Sequence, residues 1–204
     1  MNRTTLPLAG LLVMALLPQA RAGTAGVNTS TSVLTATITQ GTCEVSFPTV
    51  AGGVLSLPPV SRNTLNGGSL QSVQAVPVQV SGCESLNGTG QTPILSVTGP
   101  TVTDLPADTG KYLFNNQEAG AARGYGIVLS TEALSSWTPA SQVSGDGSAT
   151  SEVVLGEASQ PYVGGTKTLY VGVGCGDATT CAAQDGQHAG GDITVAITFT
   201  FGYR

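Results

Sequence analysis

The chain has 204 residues, 9% of them charged and 5% aromatic, with 28 glycines and a formal net charge of −5. That balance argues against nucleic acid as a partner, because phosphate binding needs clustered Lys and Arg. It also argues against an enzyme: the only histidine is His188, and acid–base or nucleophilic chemistry needs positioned acids, bases and nucleophiles.

In chain order, the first segment reads as a secretory signal over residues 1–22. Arg3 gives a positive start, residues 6–17 are apolar but short for a bilayer span, and Ala20-Arg21-Ala22 has the small-x-small form of a cleavage site. Residues 23–204 then suffice for one domain with a sizeable core. With Arg3 and Arg21 removed, five basic side chains face twelve acidic ones, a balance that favours solubility.

Residues 23–32 are small and polar, with Val27 the only sizeable apolar side chain. A terminal stretch of this kind is ordinarily disordered. A strand follows over 33–40, with Leu34, Ala36 and Ile38 on one face and Val33, Thr35, Thr37 and Thr39 on the other. Further strands are predicted over 43–47, 53–57, 73–80, 94–97, 126–129, 152–155, 168–173 and 193–201. Pro77 marks an edge or a bulge in its run. Residues 132–137 suit a helical turn, and Asn66-Gly67-Gly68, Asn87-Gly88 and Gly145-Asp146-Gly147 are turn signals. No amphipathic helix, internal repeat or interdomain linker is present in this reading. The pattern is that of an all-β sandwich.

The last strand has the clearest alternation. Ile193, Val195, Ile197, Phe199 and Phe201 share one face, and Asp192, Thr194, Ala196, Thr198 and Thr200 the other. Such a strand needs one buried face and at least one paired neighbour.

The four cysteines, Cys43, Cys83, Cys175 and Cys181, suggest disulfides in an exported chain. Three connectivities are open, and Cys43–Cys83 with Cys175–Cys181 is the favoured one. The first bridge would close a 40-residue separation, worth about 4 kcal/mol on a chain-entropy basis. A metal site is disfavoured, since no CxxC pair exists and His188 is alone. Asp104, Asp108, Asp177 and Asp185 read as turn and surface carboxylates. Asn28 and Asn87 fit glycosylation sequons, and Trp137 is either a sugar-stacking residue or a core or edge aromatic.

Taken jointly, these residues resemble a subunit of a chaperone–usher pilus, the type 1-like pilin family. The signal peptide is followed by an extension and then Cys43. Cys83 follows in Val78-Gln79-Val80-Ser81-Gly82-Cys83, the chain ends in an alternating strand, Tyr203 is penultimate, and Gly191 stands fourteenth from the carboxyl end. The resemblance implies an incomplete immunoglobulin-like β-sandwich lacking its last strand, completed by a donor strand from a neighbouring subunit. It divides the chain into a signal peptide (1–22), a donor-strand extension (23–40) and a pilin domain (41–204). It assigns Ser30, Ser32, Leu34, Ala36 and Ile38 to the donor row. Gly191, Ile193, Val195, Ile197, Phe199, Phe201, Tyr203 and Arg204 become the groove edge and chaperone-binding strand, with the Arg204 carboxylate as the chaperone's handle. The implied partners are a periplasmic chaperone, an outer-membrane usher and neighbouring pilins, on a route through the periplasm to a surface fimbrium used in adhesion. No cofactor or catalysis is implied. The Cys175–Cys181 pair is an addition to the usual single bridge. The competing expectation is a self-contained secreted β-sandwich acting as a carbohydrate-binding module, in which residues 34–38 pair within the same molecule.

Overall fold

Alternating apolar rows, punctuated by glycine and proline, give this chain strands rather than helices. The computed structural model describes residues 30–36, 43–65, 67–83, 91–183 and 188–204. The proposed signal segment, Ile38, Asn28, Asn87 and Asp185 lie outside the described residues.

The strands are β1 (Ser30–Ala36), β2 (Glu44–Ser46), β3 (Val54–Leu57), β4 (Gln71–Ser81), β5 (Pro93–Thr98), β6 (Gly126–Ser130), β7 (Gln142–Val143), β8 (Glu152–Val154), β9 (Gly165–Gly174) and β10 (Ile193–Tyr203). Among the described residues they form two five-stranded sheets, ordered β3-β1-β10-β5-β8 and β2-β4-β9-β6-β7. The architecture is an all-β immunoglobulin-like sandwich. Every pairing is antiparallel except β1 with β10.

The core lies between the two inner faces. Leu95, Val97, Val195, Ile197 and Phe199 of the first sheet meet Val78, Val80, Ile127, Leu129, Leu169 and Val171 of the second, all buried. Burying aliphatic side chains of this size stabilises by roughly 1.5–3 kcal/mol each, and this layer is the main driving force for the fold.

A second, smaller cluster covers the outer face of β6. Val128 packs there with Leu70, Val102, Leu105 and Leu113, and Trp137 joins it. Strand β6 is therefore buried on both faces. Trp137 is half-buried and meets Tyr112 edge to face at 6.1 Å.

Several boundaries differ from the sequence expectation. The strand expected over 33–40 is described over Ser30–Ala36 and starts earlier, in the polar stretch, while residues 37–40 lie outside the described residues. Its backbone pairs on both sides, and ladder hydrogen bonds can hold a polar segment extended. Residues 132–137 do not form the expected helical turn. Their backbone is tied to residues 68–70 by Leu70 N–H to Ser135 O and Trp137 N–H to Gly68 O, and a 3-10 turn follows at Pro139–Ser141. Pro77 pairs with Thr168 of β9, while β2 reaches only as far as Gln79 on the other side. The proline thus sits where β4 has an open edge, and its missing N–H leaves no ladder bond unmade. A bulge does lie in the same strand, between Gln71 and Gln74, with Ser72 at φ 54°.

Both disulfides are formed, Cys43–Cys83 and Cys175–Cys181. The first ties the start of β2 to the end of β4 at the edge of the second sheet. The second closes over the short helix α1 (Ala178–Ala183), whose Thr180 N–H donates to the Asp177 carboxylate at 2.6 Å. That backbone bond, chief among several, holds the Asp177 pKa below its ordinary value.

Candidate functional site

In the first sheet one short segment joins the edge strand β3 to the rest. Strand β1 pairs antiparallel with β3 over residues 30–33 and parallel with β10 over residues 30–36. Strand β3 reaches β10 only through β1. Neighbouring strands lie about 4.8 Å apart, so without β1 a gap of roughly twice that would separate β3 from β10. In this single chain that position is filled by the chain's own residues 30–36.

The walls of this seam are apolar. Strand β10 buries Ile193, Val195, Ile197, Phe199 and Phe201, while its intervening residues are more exposed. Phe47 packs edge to face on Phe199 at 4.9 Å. The opposite wall is Leu55 and the buried Leu57 of β3. These two were not singled out from the sequence, although the alternation in Val54-Leu55-Ser56-Leu57 carried the signal. The register sets Ser30, Ser32, Leu34 and Ala36 beside Ile193, Val195, Ile197 and Phe199, and sets Ser30 and Ser32 beside Leu57 and Leu55.

Strand β10 changes partners along its length. Residues 193–197 pair with β1 alone, whereas β5 joins from Thr198 onward. The first half of β10 therefore depends on the segment that fills the seam.

At the Ile193 end the seam adjoins an apolar pocket lined by Val60, Leu65, Tyr125, Val173 and Ile193, with Arg62 also on its border. Gly191 stands at this end because nothing larger fits. A Cβ there would lie 2.6 Å from both the Ala122 nitrogen and the Gly120 oxygen. The same close passage lets the Ala122 N–H donate to Asp192 O. His188 is folded into this region, buried and stacked on Tyr125 at 4.6 Å.

At the other end, Phe201 stacks with Tyr162 at 5.9 Å and meets Tyr203 edge to face at 5.2 Å. Burial first, and the neighbouring Tyr203 second, push the Tyr162 pKa up. Arg204 is anchored by two reciprocal backbone bonds with Thr92, so the terminal carboxyl group accepts the Thr92 N–H at 2.8 Å. Its guanidinium donates to Glu152 at 2.6 Å. The terminal residue is exposed in this arrangement.

Among the described residues no group of three His, Cys, Asp or Glu is placed to hold a metal. What the site can do is hold an extended segment by two backbone ladders and an apolar row.

No family model and no curated protein matches this chain. Among solved structures it is similar to the crystal structure of the P pilus rod subunit PapA. Identity is 17%, covering 80% of this chain and 100% of that one, with a TM-score of 0.49.

Proposed function

We propose that this chain is a structural subunit of a surface pilus, assembled by donor-strand exchange after capture by a periplasmic chaperone and delivered through an outer-membrane usher. The observation that carries this reading is the join between β3 and β10. A sheet whose two parts meet only through residues 30–36, a segment preceding the first disulfide cysteine, has an interior position that a strand from elsewhere can take. Exposed edges on both sides of an apolar slot bind extended peptides by β-augmentation. In this reading residues 23–40 act as the donor strand of the next subunit in line, with Ser30, Ser32, Leu34, Ala36 and Ile38 as its row. Residues 193–204 form the strand that the chaperone first grips, and the carboxylate of Arg204, an exposed residue, is the handle. The chain works in attachment, without catalysis.

A second reading has an observation in its favour. Because β1 pairs within the same molecule, the chain also fits a self-contained sandwich that binds carbohydrate, with Trp137 as its stacking residue. The two separate on one gel. Chain produced with a chaperone and usher, run unboiled in denaturant, is expected to give a ladder of polymers that collapses on boiling. Monomer alone under every such condition contradicts the pilus reading.

A further inference from the structure

Away from the seam, the two sheets meet at a second opening. Strand β7 is an edge of the second sheet and β8 an edge of the first, where β10 and β5 stand between β1 and β8. A pocket of about 420 Å³ lies between these edges. Gln142 of β7 and Glu152 of β8 line it, with Tyr112, Pro139, Ala140 and Thr150. Gln142 is 4% exposed. Neither its amide nitrogen nor its amide oxygen has a hydrogen-bond partner among the described residues. A buried carboxamide left unpaired carries the cost of its lost hydration, and native interiors leave few such groups. Both amide atoms are covered, so the side chain meets a ligand by changing rotamer. That movement breaks no hydrogen bond of the amide and ends its unpaired burial.

The groups around Gln142 select the ligand's chemistry. A carboxamide both donates and accepts, and a carboxylate accepts at two oxygens. The Glu152 Oε2 accepts from the Arg204 guanidinium at 2.6 Å. That pair is neutral as a whole, so a cation meets Arg204 and an anion meets Glu152, and neither gains. Adjacent hydroxyls suit this wall, because each can donate to Glu152 or to the amide oxygen and accept from the amide nitrogen. Tyr112, Pro139 and Ala140 supply carbon surface. A mostly apolar wall with a few polar groups, in a volume of this size, is the usual make-up of a small-molecule site.

We propose that this pocket binds a neutral sugar ring. Gln142 and Glu152 hold adjacent hydroxyls, and Tyr112, Pro139 and Ala140 meet the C–H face of the ring. Trp137 does not line the pocket, so this site is distinct from a stacking site on that residue. It is also independent of which strand fills the seam, and so it holds for a fibre subunit and for a self-contained sandwich alike.

The experiment titrates the nitrogen-15-labelled full chain with the methyl glycosides of glucose, galactose and mannose and, separately, with glucuronate. The side-chain NH₂ signals of Gln142 are identified by their absence in Gln142→Leu. They are expected to shift and saturate with at least one methyl glycoside. Gln142→Leu should weaken that binding on the order of ten-fold, the loss of the carboxamide's hydrogen bonds. Its melting temperature should hold or rise, because an unpaired buried amide has been replaced by an apolar group of similar size. Glu152→Gln should weaken binding by a smaller factor. The proposal is overturned when no glycoside shifts the Gln142 signals, or when Gln142→Leu binds as tightly as the parent. Binding of glucuronate alone also overturns it, since the ligand would then be an anion held by Arg204. A fall in the melting temperature of Gln142→Leu overturns its premise, because the amide would then be satisfied within the fold.

Discussion

The two sheets of this sandwich are held together in different ways. The second is built from long antiparallel ladders: β4 pairs with β9 from Gln71 to Val80, β9 pairs with β6, and the Cys43–Cys83 bridge ties the ends of β2 and β4. The first sheet has a single seven-residue strand between β3 and β10, and among the strand pairings of the described residues its pairing with β10 is the parallel one. Parallel pairing is slightly weaker per residue than antiparallel. The lesson is that the two layers differ in how they are tied: one is a continuous antiparallel frame with a disulfide at its edge, and the other is joined between β3 and β10 by a single short strand. On the proposed strand-exchange reading, the occupant of that one position could change without the frame unfolding.

The largest effect should come from weakening the frame. Replacing Cys43 and Cys83 together by serine removes the link between residues 40 apart in sequence, at a cost of about 4 kcal/mol on the chain-entropy account. Chemical denaturation should show a large fall in midpoint. A fall of less than about 1 kcal/mol would mean that the second sheet does not depend on its staple.

Ala36→Phe acts on the seam instead. Position 36 is in register with the buried Phe199, and overfilling a packed site costs roughly 1–3 kcal/mol. The variant should fail to polymerise while still binding the chaperone, as read by unboiled gels and co-purification. Normal polymer from this variant would refute the register.

Asp146 offers a milder comparison, at a loop of the second sheet. Burial alone would raise its pKa. Hydrogen bonds from Ser148, through both its hydroxyl and its backbone N–H, and from the Ser144 and Ser151 hydroxyls outweigh that and hold it well below the ordinary carboxylate value. A depressed folded pKa adds stability that is present above the unfolded pKa and lost as pH falls toward the folded one. Asp146→Asn should therefore lower the melting temperature at pH 7, and the difference from the parent should shrink as the pH drops below the ordinary value of 3.8. A difference independent of pH would mean that the carboxylate's charge is not what orders the loop.

The smallest effect is expected at Glu152→Gln. Its ion pair with Arg204 is partly exposed, and exposed pairs contribute about 0–1 kcal/mol. A melting curve within a degree or two of the parent would agree, and a large loss would show the terminal residue to be a structural lock on the first sheet.

Much of this was legible in the sequence, because alternation needs only local information. The run from Ile193 to Phe201 reads directly as a half-buried strand, and the structure extends it by two residues to Tyr203. Strand β6 is harder, since Leu105 and Leu113 cover its outer face and erase the alternation that marks a one-sided strand. The polar start of β1 is illegible in the residue pattern alone, and only the family resemblance put Ser30 and Ser32 in a strand row. Ser30, Thr31 and Ser32 have no apolar pattern, and they are extended because β3 and β10 pair with them. Gly191 could be placed by its distance from the carboxyl end, but its physical cause, the backbone of residues 120–122 passing against it, is a contact between distant parts of the chain. The parallel direction of β1 is likewise a property of the assembled sheet, which no local pattern encodes.

The most direct test of the account is a thermal melt of residues 41–204, oxidised, with and without a peptide of residues 23–40. A ligand selective for the folded state raises its stability by mass action. The account predicts a weakly stable domain whose melting temperature rises steeply with added peptide, because the peptide rejoins β3 to β10. A domain that is stable alone and indifferent to the peptide would contradict it, and would show that the sandwich is complete without residues 30–36.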